Sequence, residues 1–219
     1  MIQSRAIPAV TAALLFFACR AFGQNAPADT TPASAEFEEQ AWALSACAFA
    51  YFVPDDDDFL MPIVAADLGR LHLEARYNYE DLDTGSAWIG FNLDGGNELT
   101  WEFAPMLGAV FGNTDGIAPG YNGTLGWRRF ELYSEGEYLF DAEDSDADFF
   151  YNWSELTFAP AAWYRLGLVV QRTRVHKTER EVQRGLIAGI MWRSIDVAAC
   201  LFNPDDEEAP VALALTWYR

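Results

Sequence analysis

From Leu71 to Glu80 the side chains alternate without exception. Leu71, Leu73, Ala75, Tyr77 and Tyr79 share one parity, and His72, Glu74, Arg76, Asn78 and Glu80 share the other. Successive side chains of an extended chain point to opposite faces, so the stretch reads as a strand with one apolar and one ionisable face. The stripe recurs along the chain. Leu99, Trp101 and Phe103 oppose Glu98, Thr100 and Glu102; Tyr164, Leu166, Leu168 and Val170 oppose Arg165, Gly167, Val169 and Gln171. Leu186, Ala188, Ile190 and Trp192 oppose Gln183, Gly185, Ile187 and Gly189; Val211, Leu213, Leu215 and Trp217 oppose Ala212, Ala214, Thr216 and Tyr218. Runs of roughly 8–14 residues are separated by Gly-, Asp-, Asn- and Pro-rich breaks, the pattern of an all-β chain. Beyond the N-terminal segment, no apolar stretch reaches the roughly 20 residues of a spanning helix.

A soluble sandwich buries the apolar face and wets the polar one. A membrane barrel turns the apolar face to lipid and the polar face to its lumen, with aromatics at the interfaces. Here the face opposite the stripe holds glycine, small residues and charge, as a filled narrow lumen would. The expected fold is therefore an all-β, antiparallel up-and-down transmembrane β-barrel of about 10–12 strands over residues 41–219, with both ends periplasmic. The count turns on Ala104 to Gly112, where Pro105 is a candidate strand break. Thr124 to Phe140 reads as one long strand, with Arg129, Glu131, Glu135 and Glu137 inward and Arg128 near an interface, since a basic residue at mid-membrane on the lipid side costs about 2–4 kcal/mol. Short turns are expected at Asp67 to Arg70, Asp94 to Asn97 and Ser194. Longer breaks are expected at Pro54 to Asp58, Asp81 to Ser86, Gly112 to Asn122, Asp141 to Asp148, Arg174 to Gln183 and Asn203 to Pro210.

The N-terminus reads as an export signal. Arg5 precedes an apolar run from Ile7 to Ala18, and Ala21-Phe22-Gly23 places small residues three and one before a cut after Gly23. The rival, a lipoprotein signal on Cys19, lacks a branched aliphatic residue three positions earlier. Residues 24–40, rich in Ala, Pro, Thr and Ser, read as a flexible periplasmic leader. Cleavage would remove two of the 14 basic residues, Arg5 and Arg20, and none of the 33 acidic ones, taking the net charge from −19 to −21. That charge excludes nucleic acid as a partner, because phosphate binding needs a basic face. Disorder is excluded too, since 51% of residues are hydrophobic and 15% aromatic. Cys47 and Cys200 remain after processing, either as a disulfide or, more simply, as two separate small buried residues.

Gly69-Arg-Leu-His-Leu-Glu-Ala-Arg-Tyr-Asn-Tyr-Glu-Asp81, Phe150-Tyr-Asn-Trp-Ser-Glu-Leu156, Gln171-Arg172-Thr173 and Gln183-Arg184-Gly185 together resemble a family of uncharacterised bacterial outer-membrane β-barrel proteins, from about Ala43 to the end. The resemblance implies fold, location, and contact with outer-membrane lipid and the barrel assembly machinery. It carries no activity. Such barrels end on an aromatic residue; here Trp217 and Tyr218 precede a terminal Arg219.

The inward polar set is His72, Glu74, Arg76, Glu102, Arg129, Glu131, Glu155, Arg165 and Gln171. These residues either line a pore or cavity for small solutes or ions, or form a plug of mutual ion pairs, since buried charges must be paired. A hydrolase would need a nucleophile, base and orienting group in contact. His72, Ser154 and Glu155 are the candidates, yet Ser154 and Glu155 have opposite strand parity. The acidic runs Asp55 to Asp58, Glu143 to Asp148 and Asp205 to Glu208 lack the ordered spacing and turn glycine of a calcium loop, and read as solvated turns. Gly112 to Gly123 reads as a constriction or a surface loop. With no nucleotide loop, zinc spacing or haem motif, no cofactor and no metal is expected. The leading reading is an outer-membrane barrel acting as a narrow pore or as a structural or surface-binding protein with a polar, charge-paired lumen. The alternatives are a barrel enzyme acting on lipid or envelope substrate, and a soluble periplasmic sandwich or lipocalin-like binder.

Overall fold

The computed structural model describes residues 41–52, 57–175, 181–206 and 209–219. The signal segment 1–23, the leader 24–40, His176, Lys177, and the acidic residues Asp55, Asp56, Glu207 and Glu208 lie outside the described residues. The strands are β1 (Ala43–Phe52), β2 (Phe59–Leu68), β3 (Leu71–Tyr77), β4 (Thr84–Phe91), β5 (Leu93–Gly96), β6 (Leu99–Gly112) and β7 (Gly116–Trp127). They continue as β8 (Phe130–Asp141), β9 (Phe149–Ala161), β10 (Tyr164–Val175), β11 (Glu181–Trp192), β12 (Ile195–Phe202) and β13 (Val211–Tyr218).

Apart from β4 and β5, which do not pair with each other, each strand pairs antiparallel with its neighbours in sequence, and β1 pairs with β13 to close the ring. Both β4 and β5 pair with β6, so they are two halves of one wall strand, and the protein is a closed antiparallel barrel of 12 strands. The wall breaks at Asn92, whose amide donates to the Arg70 carbonyl. Pro105 lies opposite this gap in an unbroken β6, where its missing N–H is no loss. The terminal strands are zipped by reciprocal backbone bonds between Leu44 and Arg219.

Apart from Tyr79, the apolar stripe faces away from the lumen. Ile89, Phe103, Leu168, Leu186, Ile190 and Leu215 stand 41–56% exposed. This is the belt that lipid would cover. The connections sort by length. Two-residue turns join β2–β3, β5–β6, β7–β8, β9–β10 and β11–β12 at the end that carries both termini, and longer connections occupy the other end.

Three expectations need correction. Thr124 to Phe140 is a hairpin, not one strand: β7 turns into β8 at Arg128-Arg129, where Arg128 takes φ +57°. Nothing in Trp-Arg-Arg-Phe announces a turn, because Arg pays about 1–2 kcal/mol for that conformation. Arg129 is consequently exposed at the rim, donating to the Pro160 carbonyl, and does not face the lumen from within a strand. Next, β3 stops at Tyr77, because Asn78 takes φ +57°. The turn reverses the parity, so Tyr79 folds over the lumen and away from lipid, 1% exposed. Lastly, only residues 113–115 link β6 to β7; Gly116 to Gly123 is strand.

Gly120 of this stretch and Gly108 of β6 make room for Trp88. A Cβ at Gly120 would sit 3.0 Å from the indole, and one at Gly108 would overlap it. Arg76 lies over the same indole, so Trp88 has no room to retreat. Gly108→Val is expected to destabilise the barrel by about 1–3 kcal/mol through overpacking, read as a lower urea midpoint for the folded gel band. An unchanged midpoint would show that the indole has slack.

Candidate functional site in the barrel lumen

The inward faces divide the lumen along its axis. At the long-loop end they meet and fill it. Tyr51 of β1, Met61 of β2, Leu139 of β8, Trp153 of β9 and Phe202 of β12 are each 0% exposed, and Phe49, Tyr79 and Tyr151 are 1% exposed. Aromatic pairs cross the lumen. Tyr79 meets Tyr151 edge-on with centroids 5.7 Å apart, and Trp153 meets Phe202 edge-on at 5.8 Å. Tyr51 stacks on Phe59 at 4.5 Å. The interior along β1, β2, β12 and β13 is largely apolar, with Cys47 and Cys200 both buried there and not joined in a disulfide. Cys47 Sγ lies 3.1 Å from Thr216 Oγ1.

The polar half centres on Arg76. Its Nη1 donates to Glu137 Oε2 at 3.0 Å, and its Nε donates to Glu74 Oε1. The guanidinium carbon lies 4.1 Å from the Tyr79 ring centroid and 4.4 Å from that of Trp88. Glu80 and Glu135 also lie within its electrostatic reach. Glu135 accepts from the hydroxyls of Tyr79 and Tyr133. Trp88 Nε1 donates to Ser86 Oγ at 2.9 Å and to Glu80 Oε1 at 3.3 Å. Tyr79 and Glu80 belong to the β3–β4 connection. Burial pushes the Glu80 carboxyl up from its ordinary value, opposed by Arg76 and by hydrogen bonds from Ser86 and Trp88. Burial, then the charge of Glu135, pushes the Tyr79 hydroxyl well up.

Toward the short-turn end the lumen opens into two adjoining cavities of about 480 and 440 Å³, with Thr100 lining both. Asp67, His72, Asp94 and Glu102 line the first. His72 Nδ1 lies 2.7 Å from Asp67 Oδ1, which also accepts from Asn92 Nδ2 at 2.6 Å, and His72 Nε2 is 3.4 Å from Glu74 Oε2. Glu131, Thr157 and Arg165 line the second, with Arg128, Arg129 and Arg193 at its rim. Arg165 grips Asp196 with both terminal nitrogens, Nη2 to Oδ1 at 2.8 Å. The first cavity is thus lined by three carboxylates, Asp67, Asp94 and Glu102, and the second by both signs of charge.

Of the nine inward polar residues named from sequence, His72, Glu74, Arg76, Glu102, Glu131, Glu155, Arg165 and Gln171 face the lumen, and Arg129 alone lies outside it. Glu155 accepts from Trp153 Nε1 at 3.0 Å. Gln171 is 2% exposed on β10. Ser154 points outward instead, bonding Ser134 at 3.1 Å, so His72, Ser154 and Glu155 do not assemble. Asp67, Asp94 and Asp196 were missed, although Asp67 and His72 are register partners across a two-residue turn, which a hairpin at Gly69-Arg70 would have paired. Among the described residues no group of three or more His, Cys, Asp or Glu is placed to hold a metal.

No protein-family model matches the chain, and no curated protein matches it. The structure is similar to the KdgM porin, with TM-score 0.59 and 8% identity over 79% of this chain and 98% of that one. It is similar to the same porin in complex with disordered oligogalacturonate, with TM-score 0.60 and 7% identity over the same shares. At such identity the likeness concerns fold: this chain has the closed barrel of an outer-membrane porin.

Proposed function

We propose that the protein is an integral outer-membrane barrel, exported by its N-terminal segment, whose lumen is shut to solutes in this state. It serves as a structural or surface-binding barrel, with a vestibule of one acidic and one mixed-charge cavity open at the periplasmic, short-turn end. The observation carrying this reading is the layer of side chains at 0–1% exposure across the loop-side half of the lumen. Small eight-stranded barrels are filled by side chains and 16-stranded ones leave a channel. A 12-stranded barrel lies between, and here large aromatics and an arginine cluster take up the difference.

Oligogalacturonate, the ligand of one structural neighbour, is a chain of carboxylates. In the first cavity Asp67, Asp94 and Glu102 would repel it, so there an anionic sugar is a poor fit and a cation a better one. A second reading, a gated cation pathway, is favoured by one detail: Tyr79 and Glu80 reach the lumen from a connection and not from the wall, so part of the obstruction could move. No enzymatic role is proposed.

Protein from fractionated outer membranes should migrate differently boiled and unboiled. Once inserted in a planar bilayer, it should show no discrete conductance steps. Steady steps from folded wild type would replace the shut barrel with an open pore. Recovery in the soluble periplasmic fraction, with no boiling shift, would remove the membrane barrel altogether.

A further inference from the structure

Two of the five short hairpins share one construction, Trp127-Arg128-Arg129-Phe130 and Trp192-Arg193-Ser194-Ile195. In each, the tryptophan projects from the outer face, 45% and 65% exposed. The arginine after it takes positive φ, 57° and 56°. Its guanidinium carbon lies over the tryptophan ring, 4.8 and 4.9 Å from the centroid. The other described non-glycine residues with positive φ are Asn78, Asp83 and Asn203, types that enter this region easily. Arginine does not, so the two turns keep it against backbone preference and the side chain must contribute something.

It does not contribute an ion pair. Among the described residues neither Arg128 nor Arg193 has a carboxylate within salt-bridge distance, in a chain with 33 acidic residues against 14 basic. A third turn repeats the placement, with Arg70 lying 5.6 Å from the centroid of outward Phe91. The connections of the opposite end are acidic, with Asp57, Asp58, Asp141, Glu143, Asp144 and Asp146 in or beside them.

We propose that the short-turn rim binds the phosphate groups of anionic phospholipid in the adjoining leaflet, through Arg128 and Arg193 with Arg70 in support. This rests on the membrane-barrel reading. Outward tryptophans at a barrel end sit at headgroup depth. A guanidinium stacked on such a ring is held there, with its donors free for a phosphate, which its planar fork fits. Basic residues at this depth are drawn to anionic lipid.

The test is native mass spectrometry of the folded protein released from micelles holding equal phosphatidylglycerol and phosphatidylcholine. Wild type should retain phosphatidylglycerol over phosphatidylcholine by about threefold or more. Arg128→Asn with Arg193→Asn should retain the two equally. Asparagine suits positive φ, so this variant should keep its boiling shift and unfold no earlier than wild type, which separates lipid binding from turn formation. Arg184→Asn, at the opposite end, should leave the preference intact. Equal retention by wild type, or an undiminished preference in the double variant, overturns the proposal. A wild type without a boiling shift would instead remove the membrane barrel, and the lipid site with it.

Discussion

Arg76→Gln should lower the stability of the barrel by about 3–5 kcal/mol, the cost of breaking a buried ion pair by removing one partner. Arg76 is 6% exposed and bonds the carboxylates of Glu74 and Glu137 directly. Glutamine could keep one hydrogen bond, but it would leave Glu137, with Glu80 and Glu135 close by, in a dry interior without its cation, and Glu74 with His72 alone. It would also withdraw the charge that lies between the rings of Tyr79 and Trp88. Arg76→Lys should fall between, since an ammonium keeps the charge but cannot span two carboxylates and two ring faces with a planar fork. Adding Glu137→Gln to Arg76→Gln should recover part of the loss by removing one stranded charge. Urea titration of vesicle-inserted protein, read by the boiling shift and by tryptophan fluorescence, gives each value. A loss below about 0.5 kcal/mol for Arg76→Gln, the range of ordinary surface changes, would show that water reaches the cluster.

The outer surface was legible in the sequence because lipid imposes one demand on every outward position. Leu186, Ala188, Ile190 and Trp192 could not alternate with Gln183, Gly185, Ile187 and Gly189 by two-residue steps without implying two faces, and the strand obeys them. The lumen imposes no such uniform demand. In Cys47-Ala48-Phe49-Ala50-Tyr51 both parities are apolar, so nothing in the composition marks Cys47, Phe49 and Tyr51 as the inward set. Only closure of β1 on β13, with Ala48 opposite Leu215, fixes it. Tyr79 was assigned to lipid because alternation was carried through Asn78, where a single positive φ reverses the sense of everything after it. The Arg128 turn was invisible for the opposite reason: the residue there is one that turn chemistry disfavours. The charged members of the Arg76 cluster, Glu74, Arg76, Glu80, Glu135 and Glu137, were visible one by one on polar faces. Their meeting depends on the β3–β4 hairpin facing β8 across the lumen, a relation that spacing along the chain does not contain.

Emptying the lumen should turn a silent barrel into a conducting one. Tyr79→Ala removes a ring that comes from a connection, and Trp153→Ala removes a fully buried indole that meets Phe202 from the β9 wall. Neither change removes a wall hydrogen bond, so the cylinder should persist while the obstruction thins. Truncating large core aromatics costs about 3–5 kcal/mol when the space stays empty. Here the space adjoins a wet vestibule lined by Asp67, Asp94, Glu102 and Glu131, so water should enter and reduce that cost. The double variant should show discrete steps in a planar bilayer, where each single variant shows few or none. Its current should favour cations if ions pass through the first cavity, which is lined by Asp67, Asp94 and Glu102. A charge about 4 Å from a passing ion is worth about 1 kcal/mol in bulk water and more between low-dielectric walls. Adding Glu102→Gln and Glu131→Gln should therefore lower the cation-to-anion permeability ratio several-fold without abolishing the steps. If the double variant inserts, keeps its boiling shift and stays silent, these aromatics are not what shuts the lumen, and the apolar contacts among β1, β2 and β12 close it unaided. If it conducts without preferring cations, the vestibule carboxylates lie off the ion path, and the acidic cavity has no part in selecting what enters.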